Sequence, residues 1–251
     1  MSAPRFYCPE KLSPNTPLKL PDTVARHAVR ALRLQEGAEL HLFDGYGGEY
    51  AAKIRQIHKN EVIAAVGTWF DREAESPCKV TLIQALQAAD KMDYTLQKAV
   101  ELGIAAIQPV NSRRSVVHLS GEREQKRVQH WQSVAISACE QCGRNQIPII
   151  APVIDLLDWL STPAPKGVQR LMLAPGAAVF LTTLPPPNGP IELLVGTEGG
   201  LDPVEITAAA NAGFTPVALG PRILRTETAG LAALAAIQTL WGDFRPLISP
   251  L

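Results

Sequence analysis

The chain has 251 residues, 46% of them hydrophobic and 19% charged, and its 24 Lys and Arg balance 24 Asp and Glu to a formal net charge of zero. That composition suits a folded protein with a sizeable core; it excludes a disordered chain and a protein that coats nucleic acid through overall positive charge, so any nucleic-acid contact has to come from local patches. No apolar run reaches the ~18 residues of a membrane span, the N-terminal MSAPRFYCPE carries no hydrophobic signal segment, and the four cysteines are few, so a cytoplasmic protein without disulfides or a membrane partner is expected.

From Arg5 to about Phe70 the pattern is that of short strands and turns. DTVARHAVRALRLQEG predicts a short helix with Asp22 as its cap and Gly37 beyond its end. Its Arg26, His27, Arg30 and Arg33 fall at near-helical spacing, which fits either a solvated face or a contact with RNA phosphates. Residues 1–72 hold ten Lys and Arg against eight Asp and Glu, a net of +2. Two strand-like runs flank DGYGG, where the glycines serve a hairpin, since no helical pattern follows them as a phosphate loop requires. A small β-barrel over 1–72 is the expected first domain.

After the polar connector DREAESP the period changes. KVTLIQAL, DYTLQKAVELG and IAAIQPV read as strand, helix ended by Gly103, and strand, a βαβ unit that implies a parallel sheet. A long helix over 121–142 stops at Gly143. Along it Val128, Trp131, Ala135, Ala138, Cys139 and Cys142 share one side, so CEQC (139–142) reads as packing rather than as half of a zinc or redox site, for which Cys8 and Cys78 supply no second pair. Apolar runs recur at IPIIAPV, VQRLMLA, IELLVG and TPVALG, and PPPNGP (185–190) is a stiff surface connection. The expected second domain is α/β over 78–244, followed by a tail at 245–251; there are no internal repeats. The five histidines show no metal-site spacing, and no metal is expected.

In open α/β sheets ligands bind beyond the carboxyl ends of the strands. Three such ends stand out: LMLAPG (171–176), LLVGTEGGLDPVEI (193–206) and LGPRILRTETAG (219–230). In the second, Asp202, Pro203 and Glu205 make a capping-box start for the next helix. In the third, Arg222, Arg225 and Glu227 crowd the mouth of a helix apolar on nearly every side, which must be buried on more than one face, in the core or against another subunit. Arginines there are costly unless a carboxylate or phosphate occupies them. RRSVV (113–117) also follows a strand end, and residues 111–150 hold six Lys and Arg against three acids, a net of +3, so Arg113, Arg114 and Arg144 are candidates for phosphate contacts, with a solvated surface as the alternative.

The strings ELGIAAIQPVNSRRSVV, EQCGRNQIPII, LLVGTEGG and LGPRILRTETA, in this order and at these intervals, resemble the RsmE family of bacterial 16S ribosomal RNA uridine N3-methyltransferases, within the SPOUT superfamily. The resemblance runs from RFYCPE to the final helix. It implies a PUA-like RNA-binding β-barrel, then an α/β SPOUT domain whose part over roughly 170–244 forms a deep trefoil knot, and pairing of two subunits into a homodimer. It implies S-adenosylmethionine held among Leu173, Ala174, Pro175 and Gly176, among Val195, Gly196, Thr197, Glu198, Gly199 and Gly200, and among Leu219, Gly220, Arg222, Ile223 and Leu224. Thr197 stands where the family's GPEGG form has proline, and Leu201 where many members have phenylalanine. The implied substrate is 16S rRNA in the small ribosomal subunit.

Uridine N3 carries a proton and attacks poorly until that proton is lost, so the site needs a base or a group that stabilises the resulting anion. Glu198 and Glu227 are the candidate bases, Arg225 the candidate for stabilising charge, and Arg222 a candidate for the RNA side as well as the donor pocket. Glu227 could equally serve the helix's positive end. A dinucleotide-dependent oxidoreductase and a Rossmann-like methyltransferase both want a Gly-rich turn after the first strand, which KVTLIQALQAADKMD lacks. Two alternatives stay open: another RNA target atom, including a ribose 2′-hydroxyl, and a non-catalytic RNA-binding assembly factor, against which the donor-pocket strings argue.

Overall fold

The computed structural model describes residues 3–59 and 61–244; the tail expected at 245–251 lies outside the described residues. Two compact units divide the chain. One runs through Glu75 and also takes in Ile136–Ile147; the other holds Ser76–Ala135 and the chain from Pro148 on.

In the first unit β1 (Arg5–Tyr7), β2 (Pro17–Lys19), β3 (Glu39–Phe43), β4 (Glu49–His58) and β5 (Glu61–Phe70) form a sheet in the order β1-β3-β4-β5-β2, antiparallel except for β1 beside β3. Alternate residues such as Leu40, Leu42, Ile54, Val62 and Ala64 turn inward onto Phe6, Val24 and Ala28, the period-2 pattern expected of half-buried strands. The DGYGG hairpin joins β3 to β4. Gly48 there has a φ of +66°, and a Cβ would stand 2.3 Å from the Trp69 indole nitrogen, so no other residue fits.

The arginine-rich helix departs from expectation. α1 covers only Asp22–Arg26, with Pro21 at its cap and no side-chain capping bond, and Asp22 is its first helical residue. The chain continues as a π-helical turn, His27–Ala31, and ends at Arg33 with a φ of +54°, four residues before Gly37. Proline suits the start because its φ is already set and its missing N–H is one a helix start would leave unpaired.

The second unit is built on a parallel sheet. β6 (Val80–Ala85), α2 (Ala89–Glu101) and β7 (Ala106–Asn111) are the βαβ unit read from the sequence, with Gly103 at a φ of +81°. α3 (Gly121–Cys142) follows, then β8 (Ile149–Ile150), β9 (Ile154–Asp155), α4 (Leu156–Leu160), β10 (Gln169–Leu173), β11 (Val179–Phe180), β12 (Ile191–Val195), α5 (Pro203–Asn211), β13 (Thr215–Ala218) and α6 (Thr226–Leu240). The strand order is β11-β13-β10-β12-β6-β7-β8, with β9 also beside β7. Both faces are covered, which is why these strands read as unbroken apolar runs. No helix among the described residues is long and apolar enough to cross a membrane.

The last turns of α3 belong to the first unit, and there the buried Cys139 makes packing contacts. Its thiol is pushed up to about 12, chiefly by burial, so it is inert as a nucleophile. Within the same unit the Arg5 guanidinium donates to the Cys139 carbonyl at 2.9 Å and to the Glu49 carboxylate at 2.8 Å. Arg72 donates to the other Glu49 oxygen at 2.9 Å. Burial alone would raise the Glu49 pKa, but the bonds from Arg5 and Arg72 outweigh it and hold the carboxyl below its usual range. A group whose folded pKa is depressed stabilises the fold above its unfolded pKa and loses that contribution as pH falls through the folded value. Glu49→Gln is therefore expected to lower stability at pH 7 by about 3 kcal/mol, read from urea unfolding, and the gap between variant and parent should narrow as pH drops below the ordinary carboxylate range.

Candidate functional site

β12, β10 and β13 lie side by side and parallel, so their carboxyl ends open on one edge of the sheet. The chain leaving those ends encloses a pocket of about 570 Å³. Its walls are mostly backbone and apolar side chains, with the charged Arg114, Glu198, Arg222 and Arg225 also in the lining. Of the residues picked out for a donor, Leu173, Ala174, Pro175, Val195, Gly196, Thr197, Glu198, Gly199, Gly200, Leu219, Gly220, Arg222, Ile223 and Leu224 all line it. Gly176 does not; it sits past the lining with a φ of +78°, in the turn closed by the Ala177 amide on the Ala174 carbonyl. Ile206 and Ala210 of α5 complete one wall, and their i, i+4 spacing is a signal that could have pointed to them.

The loop between β12 and α5 is held at fixed points. The Gly200 amide bonds the Thr197 carbonyl, and the Thr197 hydroxyl bonds the Gly200 carbonyl, both at 2.9 Å. The threonine thus pins by side-chain bonding a turn that a proline would pin through its ring. Beyond the loop the capping box at Asp202 and Glu205 is present. Glu205 does more than cap: it is 1% exposed and also accepts from the Ser112 hydroxyl at 2.9 Å and the Arg113 amide at 2.8 Å. One carboxylate therefore fixes both the start of α5 and the turn after β7.

A second fastening reaches the pocket wall at Thr226 and Gly196. The hydroxyl of Thr226, first residue of α6, donates to the Gly196 carbonyl at 2.6 Å and accepts from the side-chain amides of Gln84 at 3.3 Å and Gln87 at 3.1 Å. Gln87 in turn accepts from Thr95 at 2.9 Å. All four side chains are buried, where each bond is hard to replace with water. The sequence reading missed this cluster, because nothing local marks glutamines at a strand end as partners of a threonine some 140 residues on.

The three residues nominated for catalysis stand at the pocket mouth or beside it. Arg225 is exposed, caps the start of α6 through its backbone and lines the pocket; Glu198 lines it too. Glu227 lies in the first turn of α6, as the helix dipole favours. Between the two carboxylates sits an unforeseen cation. The Lys91 ammonium, from α2, is 3.2 Å from Glu198 and 3.5 Å from Glu227. The hydrogen bond to Glu198 first, and the charge of Glu227 after it, push the lysine pKa above its usual value and favour its cationic form. Arg225 makes no ion pair with either carboxylate among the described residues.

Of the arginines nominated for RNA, Arg26, Arg30 and Arg33 are exposed on the first unit, and Arg222 is exposed at the pocket mouth. Arg113 and Arg114 are about half exposed and lean toward Asp202 at 3.7 and 4.0 Å, and Arg114 also donates to the Gly199 carbonyl at 2.9 Å. Arg144 is a correction. It is 4% exposed and its guanidinium is bound to Glu75 through Nε at 3.1 Å and Nη2 at 2.5 Å, so it holds the first unit together instead of offering charge to phosphate. Among the described residues no group of three or more His, Cys, Asp and Glu could hold a metal ion.

Comparison with known proteins agrees with this geometry. Residues 74–238 match the family model of the RNA methyltransferase domain, and residues 20–66 match that of the RNA methyltransferase PUA domain. The chain is 32% identical to ribosomal RNA small subunit methyltransferase E of Buchnera aphidicola subsp. Schizaphis graminum, over 96% of this chain and 97% of the relative, and 30% identical to the Bacillus subtilis protein of the same name, over 84% and 85%. A crystal structure of ribosomal RNA small subunit methyltransferase E from Neisseria gonorrhoeae, bound to S-adenosyl methionine, superposes with a TM-score of 0.91 at 44% identity, covering 97% of this chain and all of that one.

The Thr226 fastening can be tested alone. Thr226→Val keeps the shape but strands the Gly196 carbonyl and two glutamine amides, and should lower stability by about 2 kcal/mol. Thr226→Ser, which keeps the hydroxyl, should recover most of that; denaturant midpoints of the two variants check it.

Proposed function

This chain belongs to the RNA methyltransferase family of ribosomal RNA small subunit methyltransferase E, and we propose that it transfers a methyl group from S-adenosylmethionine to N3 of a uridine in 16S rRNA of the small ribosomal subunit. The observation that carries the proposal is the pocket at the ends of β10, β12 and β13. Its volume lies within the range of small-molecule sites, about 300–1,000 Å³. Its floor is apolar, its rim offers backbone amides and carbonyls, and the one acid among its lining, Glu198, suits a cationic sulfur. S-adenosylmethionine brings an activated methyl group for an in-line displacement; everything else falls to the protein.

The chain's own part is alignment and charge. The fixed loop at 196–200 and the apolar wall of α5 orient the donor and keep water out. Arg225 and Arg222 face outward, where they meet the anionic RNA and the negative charge that develops on the uracil carbonyls as N3 loses its proton. Glu198 and Glu227 remain the candidates to accept that proton. Arg26, Arg30 and Arg33 on the first unit supply further phosphate contacts. Two more elements of the proposal rest on the family resemblance. The trefoil-knotted path rests on that resemblance alone. The homodimer is supported by the exposed Ile223, Val204 and Ile206 near the pocket and by the all-round apolar α6.

The test is methyl transfer from labelled S-adenosylmethionine to small ribosomal subunits from cells lacking this protein, followed by nucleoside mass spectrometry. N3-methyluridine is expected; a methylated ribose would retain the donor and overturn the target. Arg225→Ala should lower kcat by roughly 10²-fold, the usual scale for removing one donor to a developing anion. If Glu198→Gln and Glu227→Gln both keep near wild-type turnover, neither is the base. Binding to subunits should weaken linearly on a log–log scale with salt, as phosphate contacts do.

A further inference from the structure

Lys91 does not fit the needs of the helix that carries it. It lies in the first turn of α2, beside the favourable Asp90, where a positive charge opposes the helix dipole. Its ammonium instead reaches out of α2 to two carboxylates on two other elements: Glu198, on the loop after β12, and Glu227, on α6. Glu227 depends on it. The Glu227 side chain is 16% exposed, and its second oxygen, Oε2, is buried with no hydrogen-bond partner. Without the lysine a largely buried carboxylate would face Glu198 with no cation between them, and two like charges at that range push apart.

α6 is anchored by Thr226 and by a long buried face. In the loop the backbone is fastened at Thr197, Gly199 and Gly200, whereas the exposed Glu198 side chain takes its place from the bond with Lys91. Glu198 belongs to one lip of the donor pocket. We propose that Lys91 is a positioning residue for methyl transfer, its ammonium tying the Glu198 lip to the first turn of α6 through Glu227 and so setting the mouth of the donor pocket. This rests on the pocket being the donor site. Lys91 does not itself line the pocket; it acts through Glu198.

The experiment uses the full chain as wild type, Lys91→Met and Lys91→Arg. S-adenosylmethionine binding is titrated calorimetrically, and steady-state transfer to small subunits is measured with each substrate varied in turn. Lys91→Met is expected to raise the donor Kd and donor KM about fivefold, the upper range for a partly exposed ion pair, with the KM for the subunit unchanged. Lys91→Arg should bring the donor constants back toward wild type, because it restores the cation without restoring the same shape. A methionine variant with wild-type donor Kd and KM overturns the proposal. So does a weakened variant that arginine does not rescue and that melts early, since packing would then be the cause. Wild-type protein that binds no donor is a distinguishable result: it removes the donor pocket assignment and this proposal with it.

Discussion

Three parallel strands that end level with one another are the constraint on which the rest of the second unit depends. A parallel sheet sends every strand out by the same edge, so β12, β10 and β13, once adjacent, must release three chain segments into the same small volume. Those segments carry unpaired backbone groups that need partners. Here they find them in short turns, in the Thr197–Gly200 pair and in side chains from neighbouring elements. What remains between them is a slot whose polarity is mostly backbone and whose walls are mostly aliphatic.

Buried polar side chains gather around this slot, and two of them, Thr197 and Thr226, belong to its lining. Thr226, Gln84, Gln87 and Thr95 are joined by hydrogen bonds around the Gly196 carbonyl, and Glu205 gathers three donors from two segments. Each set replaces lost water with fixed partners, and each joins chain stretches far apart in sequence. The ion pairs at the surface are of a different kind. Lys91 stands where solvent still reaches, so its bonds shape a lip without dominating the stability of the core.

Much of the architecture was legible because it is written locally. The DGYGG hairpin, the strand–helix–strand over 80–111, the capping box at 202–205 and the three glycine-marked strand ends each declare themselves within a dozen residues, and the pocket follows from the last of these together with the rule for parallel sheets. What could not be read was settled by partners distant along the chain. Arg144 looked like a surface charge until Glu75, in a connector that reads as a polar linker, was found bound to it. Lys91 looked like one of many helical lysines because its two carboxylates lie more than a hundred residues away. The arginine helix ended early for a local reason that the pattern also hid: a π-helical turn shifts the register, so the glycine beyond it no longer marks the end.

The pairing of β12 with β6 has a kinetic consequence. Ile191 lies beside Val80 and Val195 beside Gln84, so one side of the first strand of the sheet has no neighbour until more than a hundred further residues have been made. At ordinary rates of synthesis that interval is on the order of ten seconds. Through it the backbone edge of Val80–Ala85 stays unpaired, and sheets assembled from such distant pairings are slow to close. An unpaired strand edge held open for that long is one to which a strand of another unfinished chain can add, so crowding of nascent chains bears on this fold before its own β12 exists to cover β6.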